Sequence, residues 1–194
     1  MANLYFYYSS MDAGKTTQLI QTAHNYQQRK MKPLVLKPST DNREGTKPRV
    51  ISRIGLEFPA TIVDVNDIDM MDTLVNGIVA SGYDVVLVDE VQFFSVEHLK
   101  RFVRLVDEYG IPVLCYGLRN SFNNEGFPSV MYLLQHAEKL VEVKTMCWCG
   151  SKATHNLMVV DGIPIKSAQS AVKVGGSDLY HSVCRKHFNE GRYQ

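Results

Sequence analysis

The run Leu4-Tyr5-Phe6-Tyr7-Tyr8-Ser9-Ser10-Met11-Asp12-Ala13-Gly14-Lys15-Thr16-Thr17 decides the fold of this chain. Its first five residues are apolar and aromatic, the composition of a short buried strand, and Ser9-Ser10 begins a turn. From Lys15 to about Arg29 the residues Leu19, Ile20, Ala23 and Tyr26 recur at amphipathic spacing, which predicts a helix, with Lys30 favourable to the dipole near its end. Between strand and helix, Ser9 to Thr16 matches G-x-x-x-x-G-K-[ST] except that Ser9 stands where the first glycine belongs. The physics of such a loop is a ring of backbone N–H groups at a helix N-terminus, where the dipole also favours a polyphosphate. Lys15 would reach the β- and γ-phosphates, and the Thr16 hydroxyl would sit on Mg²⁺, which prefers oxygen ligands. Serine fits the first position if its φ is negative. The same residues can also make no more than a turn and a helix cap, but the strand before and the helix after favour the phosphate reading.

Reading outward, Pro33 to Lys37 returns as a second strand, so strand, helix and strand fit the length of a βαβ unit with a right-handed crossover. Residues 38 to 59 are rich in Ser, Thr, Asp, Asn, Arg and Lys with little apolar periodicity, which predicts a long exposed segment. The alternation resumes with a strand over 60–63, a helix over 68–81, the strand 85–88, a helix over 96–109 and a strand over 111–116. A short helix over 129–135 and a strand over 139–144 complete an α/β fold with a mostly parallel, P-loop NTPase-like sheet and flanking helices. Composition then changes to Cys, Gly and Ser, placing a boundary near Lys144, with residues 1–144 as an ATP-binding domain and 145–194 as a small C-terminal lobe. Within that lobe Asp161-Gly162, flanked by residues 157–160 and 164–166, predicts a hairpin.

The chain has 194 residues, enough for one substantial core and a small appendage. Its 21 Lys and Arg against 20 Asp and Glu lack the basic excess of a dedicated nucleic-acid binder. No stretch approaches the roughly 20 apolar residues of a membrane span, and the N-terminus lacks the pattern of a signal peptide. A cytoplasmic protein with no nucleic-acid or membrane partner is expected.

Two further groups carry chemistry. Val85-Val86-Leu87-Val88-Asp89-Glu90 is an apolar strand ending in two carboxylates, as in P-loop enzymes that hold an acid beside Mg²⁺ at the carboxyl edge of the sheet. Asp89 is assigned to the metal. Glu90, on a continuing strand, would point to the opposite side and serve a second substrate as general base. Near the C-terminus, Cys147-Trp148-Cys149-Gly150 and Cys184-Arg185-Lys186-His187 offer thiolate and imidazole ligands for a structural, tetrahedral Zn²⁺. Residues two apart on an extended segment share a face and Gly150 permits a tight turn, so Cys147 and Cys149 would reach one ion. His155 and His181 compete for the fourth position, and His187 is preferred because one helical turn would join it to Cys184. Buried free thiols are the alternative.

With these residues in view the chain resembles the thymidine kinases of the P-loop and zinc-lobe type. The resemblance rests on Ser10 to Thr16, on Asp89-Glu90-Val91-Gln92-Phe93-Phe94, on Tyr116-Gly117-Leu118-Arg119 with Phe122 and Phe127, and on the run from Gly175 to Phe188. It implies transfer of the γ-phosphoryl of ATP to the 5′-hydroxyl of thymidine, with Glu90 receiving the hydroxyl proton. Ser9, Ser10, Met11, Asp12, Ala13, Gly14, Lys15, Thr16, Asp89 and Gln92 would then serve ATP and Mg²⁺. Asp41 and Arg43, in a mobile Asp-x-Arg segment, would lie near the phosphates. It places the thymine beside Phe93, Leu118, Phe122 and Phe127, with Met11 near its methyl group. Val172, Val174 and Gly175 would belong to a lasso that reads the base through backbone groups, with Tyr180 hydrogen-bonding nearby. A homotetramer and end-product inhibition by dTTP are also implied. Ser9 and the C-x-C spacing depart from the family pattern.

Other functions compete with this reading. A P-loop GTPase would carry an Asn/Thr-Lys-x-Asp stretch, absent here, and an ATPase motor would need more chain. A zinc-containing module binding single-stranded nucleic acid would use Phe93, Phe94 and Phe122 to stack bases, against which the near-neutral charge argues.

Overall fold

The computed structural model describes residues 2–41, 48–166 and 179–194. Arg43, Val172, Val174 and Gly175 lie outside the described residues. Strands β1 (Leu4–Ser9), β2 (Pro33–Pro38), β5 (Thr61–Val63), β6 (Val85–Val88), β7 (Val113–Leu118) and β8 (Lys139–Glu142) form a six-stranded sheet in the order β5-β2-β6-β7-β1-β8. Every pairing in it is parallel. The carboxyl ends of β1, β6 and β7 therefore share one edge of the sheet, where ligands of open α/β folds bind.

Alternation along the strands sorts their side chains into two cores. Phe6, Val86, Val88, Val113 and Cys115 face one side, with buried Val75, Ile78, Leu99, Phe102, Val130 and Leu133. These last come from α2 (Met70–Ala80), α3 (Val96–Asp107) and α4 (Pro128–His136). Val35, Val85, Leu87, Leu114 and Tyr116 face the other, under Leu19, Ile20 and Ala23 of α1 (Lys15–Gln28). Burial on both faces gives β6 its unbroken apolar run.

The exposed segment expected over residues 38–59 is corrected in its second half. There β3 (Arg49–Ile51) and β4 (Glu57–Pro59) pair antiparallel, and Val50 and Phe58 are buried in the same core as α1. Each strand is three residues long, so one inward side chain apiece leaves almost no periodicity to read.

The C-terminal residues form a second sheet, β10-β9-β11, from β9 (His155–Val160), β10 (Ile163–Ile165) and β11 (Tyr180–Val183), followed by helix α5 (Arg185–Glu190). The hairpin turn is where the sequence predicts it, with φ of 50° at Asp161 and 77° at Gly162, the two left-handed positions of a type I′ turn. The sequence reading missed β11, whose Tyr-His-Ser-Val alternation is short and polar.

Among the described residues no helix is long and apolar enough to cross a membrane.

Candidate active site

The phosphate loop leaves β1 at Ser9 and enters α1 at Lys15. Asp12 and Gly14 turn the chain with φ of 60° and 81°. Ser9, by contrast, is not among the positive-φ residues, so serine fits where the motif has glycine. Its hydroxyl has a use: Lys15 Nζ donates to Ser9 Oγ at 2.9 Å and to the Ser10 carbonyl at 3.0 Å. Ser9, Ser10 and Lys15 are all buried.

Thr16 Oγ1 donates to Asp89 Oδ2 at 3.1 Å, joining the loop to the end of β6. These two oxygens fit a hard cation held by one hydroxyl and one carboxylate. The expected continuation of β6 through Glu90 is corrected: the strand ends at Val88. Asp89 Oδ1 accepts the Glu90 N–H at 3.0 Å, Glu90 takes left-handed φ and ψ of 47° and 45°, and a single 3₁₀ turn, Val91–Phe93, follows. The two carboxylates are thus separated by a backbone turn instead of by the pleat. For a non-glycine residue such a conformation costs on the order of 1–3 kcal/mol and persists where the surroundings enforce it.

Gln92 supplies that enforcement. Its Nε2 donates to Glu90 Oε2, and its Oε1 accepts the Leu118 N–H at 3.0 Å, tying the acidic turn to the end of β7. Gly117 leaves room for this: a Cβ there would lie 2.7 Å from Val91 Cγ1 and 2.8 Å from Gln92 Oε1. Gly117→Ala is therefore expected to destabilise by roughly 1–3 kcal/mol through overpacking and to lower turnover about tenfold by displacing Gln92. Thermal melts and steady-state kinetics check both, and unchanged turnover would show that Glu90 does not depend on this contact.

Met11, Phe122 and Tyr180 meet in one apolar cluster with Met158 and Leu179, the Phe122 and Tyr180 rings lying 6.1 Å apart. Leu118 and Phe93 are half-buried, the first ending β7 and the second in the turn after Glu90. Phe127 precedes α4 and packs against the main core. Asp41 is buried, with Lys37 Nζ 4.0 Å from its carboxylate. Ala13 lines the cleft beside the phosphate loop together with Glu90.

Sequence reading missed the residues that bolt the small sheet onto this loop. Buried Asn156 accepts the Met11 N–H at 2.7 Å and donates to the Asn120 carbonyl at 3.0 Å. Ser182 Oγ donates to the Met11 carbonyl at 2.6 Å. The available signal was an amide beginning the apolar run 156–160, a polar group that must find partners once buried.

The Cys147, Cys149, Cys184 and His187 ligand atoms all lie within 4.8 Å of one another. His187 Nδ1 is 3.3 Å from Cys147 Sγ and 3.5 Å from Cys184 Sγ. A tetrahedral zinc with bonds of about 2.3 Å to sulfur and 2.0 Å to nitrogen requires roughly 3.5 Å between such atoms, so the cluster fits that ion. The extended Cys147–Cys149 segment expected from sequence is corrected to a turn, closed by Gly150 N–H donating to the Cys147 carbonyl at 2.9 Å, with Gly150 at φ 82°. Hydrogen bonds from Ser151 lower the Cys149 thiol to about 7, while burial raises that of Cys147. His155 stacks on Phe188, the His181 ring lies tilted against Tyr193 at 4.7 Å, and neither joins the cluster.

A family model described as thymidine kinase matches residues 2–188. The chain is 46% identical over 192 residues to the thymidine kinase of Shewanella oneidensis, covering 98% of each protein. It is 44% identical over 190 residues to those of Photobacterium profundum and Vibrio cholerae, again covering 98% of each. With all three sheets of the described residues inside the span of the family pattern, the chain belongs to the thymidine kinase family.

Proposed function

We propose that this enzyme transfers the γ-phosphoryl group of ATP to the 5′-hydroxyl of thymidine, giving dTMP and ADP in nucleotide salvage. The observation that carries the reading is the double role of Met11, which lines the cleft beside the phosphate loop and also belongs to the apolar cluster of Phe122 and Tyr180. One residue thus borders both a site for phosphates and a site for a methylated base.

In this mechanism Glu90 takes the proton of the 5′-hydroxyl as its oxygen bonds to the γ-phosphorus and the bond to the ADP oxygen breaks. The loop N–H groups and Lys15 hold the phosphates in line, which is most of what phosphoryl transfer asks of a protein. Thr16 and Asp89 would hold Mg²⁺, whose chemistry is to neutralise charge on the β- and γ-oxygens. Met11, Phe93, Leu118, Phe122 and Phe127 would enclose the thymine, with Tyr180 beside it. Asp41 and Arg43 would serve the phosphates, and Val172, Val174 and Gly175 the base. The two sheets support dividing the chain into 1–144 for ATP and 145–194 for zinc and the base. Structural Zn²⁺ on Cys147, Cys149, Cys184 and His187 would fold the lobe around six buried residues. Assembly as a homotetramer, inhibition by dTTP bound across both sites, and a cytoplasmic setting that keeps the thiolates reduced complete the reading.

ADP formation with Mg²⁺ and ATP across a panel of nucleosides tests it. Strong dependence on thymidine is expected, with none when Mg²⁺ is omitted. Hydrolysis indifferent to nucleoside would point to an ATPase, and salt-sensitive retention on single-stranded DNA without turnover to a binding module.

A further inference from the structure

The cleft beside the phosphate loop has a second wall that the sequence motif does not supply. Its volume is about 170 Å³, and Met11 to Thr17 and Glu90 line it together with Ile51 to Arg53 and Ile54. That second group is the end of β3 and the turn that leads to β4, in the segment the sequence presents as featureless loop. The turn is built: Ser52 N–H donates to the Leu56 carbonyl at 2.7 Å, Ser52 Oγ accepts the Leu56 N–H at 3.0 Å, and Gly55 N–H donates to the Ser52 carbonyl at 2.9 Å. Buried Val50 and Phe58 pin its strands to the sheet face that α1 covers. The cation it presents to the cleft is Arg53, whose guanidinium forms an ion pair with the Asp12 carboxylate of the phosphate loop.

Charge makes this pair informative. A carboxylate inside a loop that binds polyphosphate has the wrong sign for its ligand, and Lys15 brings one positive charge against several negative ones. A guanidinium offers a planar fork that matches phosphate as well as it matches carboxylate. We propose that Arg53 is a ligand for the terminal phosphates of the donor, delivered by the β3–β4 turn and exchanging Asp12 for phosphate oxygens. Arg53 lines the same cleft as Glu90, which puts a cation in the space where charge moves during transfer. The proposal rests on reading this cleft as the triphosphate site.

The test measures binding of a non-hydrolysable ATP analogue with Mg²⁺ by calorimetry, in parallel with thymidine kinetics. Arg53→Gln is expected to weaken the analogue about tenfold or more, to lower turnover at saturating substrates further still, and to leave thymidine affinity unchanged. Arg53→Lys should recover part of each loss, since it keeps the charge without the fork. Asp12→Asn is the discriminating variant, because asparagine tolerates the left-handed backbone there. It should tighten the analogue severalfold by removing a competitor for Arg53, and that gain should vanish when Arg53→Gln is also present. If the pair merely holds the turn in place, both single variants weaken binding alike, and the proposal fails. It also fails if Arg53→Gln binds the analogue as the parent does, or if the parent binds no analogue at all. Should the parent bind the analogue through Arg53 yet not phosphorylate thymidine, the substrate reading falls and the phosphate ligand stands.

Discussion

Glu90→Gln is expected to lower turnover by roughly a hundredfold or more, the usual contribution of a general base, while ATP and thymidine still bind. Glutamine is nearly isosteric with glutamate, and its carbonyl can accept the hydrogen bond that Gln92 now gives to Glu90. The link from Gln92 to the Leu118 N–H is untouched, so the acidic turn keeps its shape. On the proposed mechanism, what the variant loses is the ability to hold the proton leaving the 5′-hydroxyl. Single-turnover rates with pre-bound substrates would isolate that step from product release. Near-normal rates would remove Glu90 as the base and leave Asp89, which Thr16 already engages, as the remaining carboxylate of the pair.

Cys184→Ser is expected to act at longer range. Among the described residues the main buried cluster of the small sheet is Cys147, Ala153, Leu157, Val159, Val183 and Phe188, a small core for a lobe to stand on without help. Structural zinc contributes on the order of 10 kcal/mol in small domains, so losing one thiolate should release the metal and unfold much of the lobe. Tyr180 and Met158 come from that lobe, and thymidine affinity should fall more than tenfold with them. ATP should weaken less, but not be spared, because Asn156 and Ser182 brace the backbone of Met11. Metal analysis, thermal melts and separate titrations of the two substrates check this chain of effects. A metal-free parent protein with full thymidine affinity would overturn it.

The groups that make up the candidate site were legible because they are local in sequence. Ser9 to Thr16 is one continuous run, Asp89 and Glu90 are neighbours, and Cys184 and His187 lie one helical turn apart. The strands of the parallel sheet were legible for a related reason: burial on both faces demands an apolar run whatever packs against it. One local reading of the site nevertheless failed, at Glu90. It assumed that an extended run continues, whereas Glu90 itself is left-handed and turns the chain; the tight turn that Gly150 permits was legible, but not that it already takes in Cys147 to Cys149.

Sequence alone determined an α/β sheet with a phosphate-loop motif and a set of cysteines and a histidine of the types that could hold a metal, since periodicity, turn chemistry and side-chain type act over a few residues. Only the tertiary structure decided that Arg53 stands against Asp12, that Gly117 makes room for Gln92, and that Asn156 reaches across 145 positions to Met11. Those partners are chosen by which chain segments the packed sheets bring together, and a residue's own neighbours in sequence carry no record of that choice.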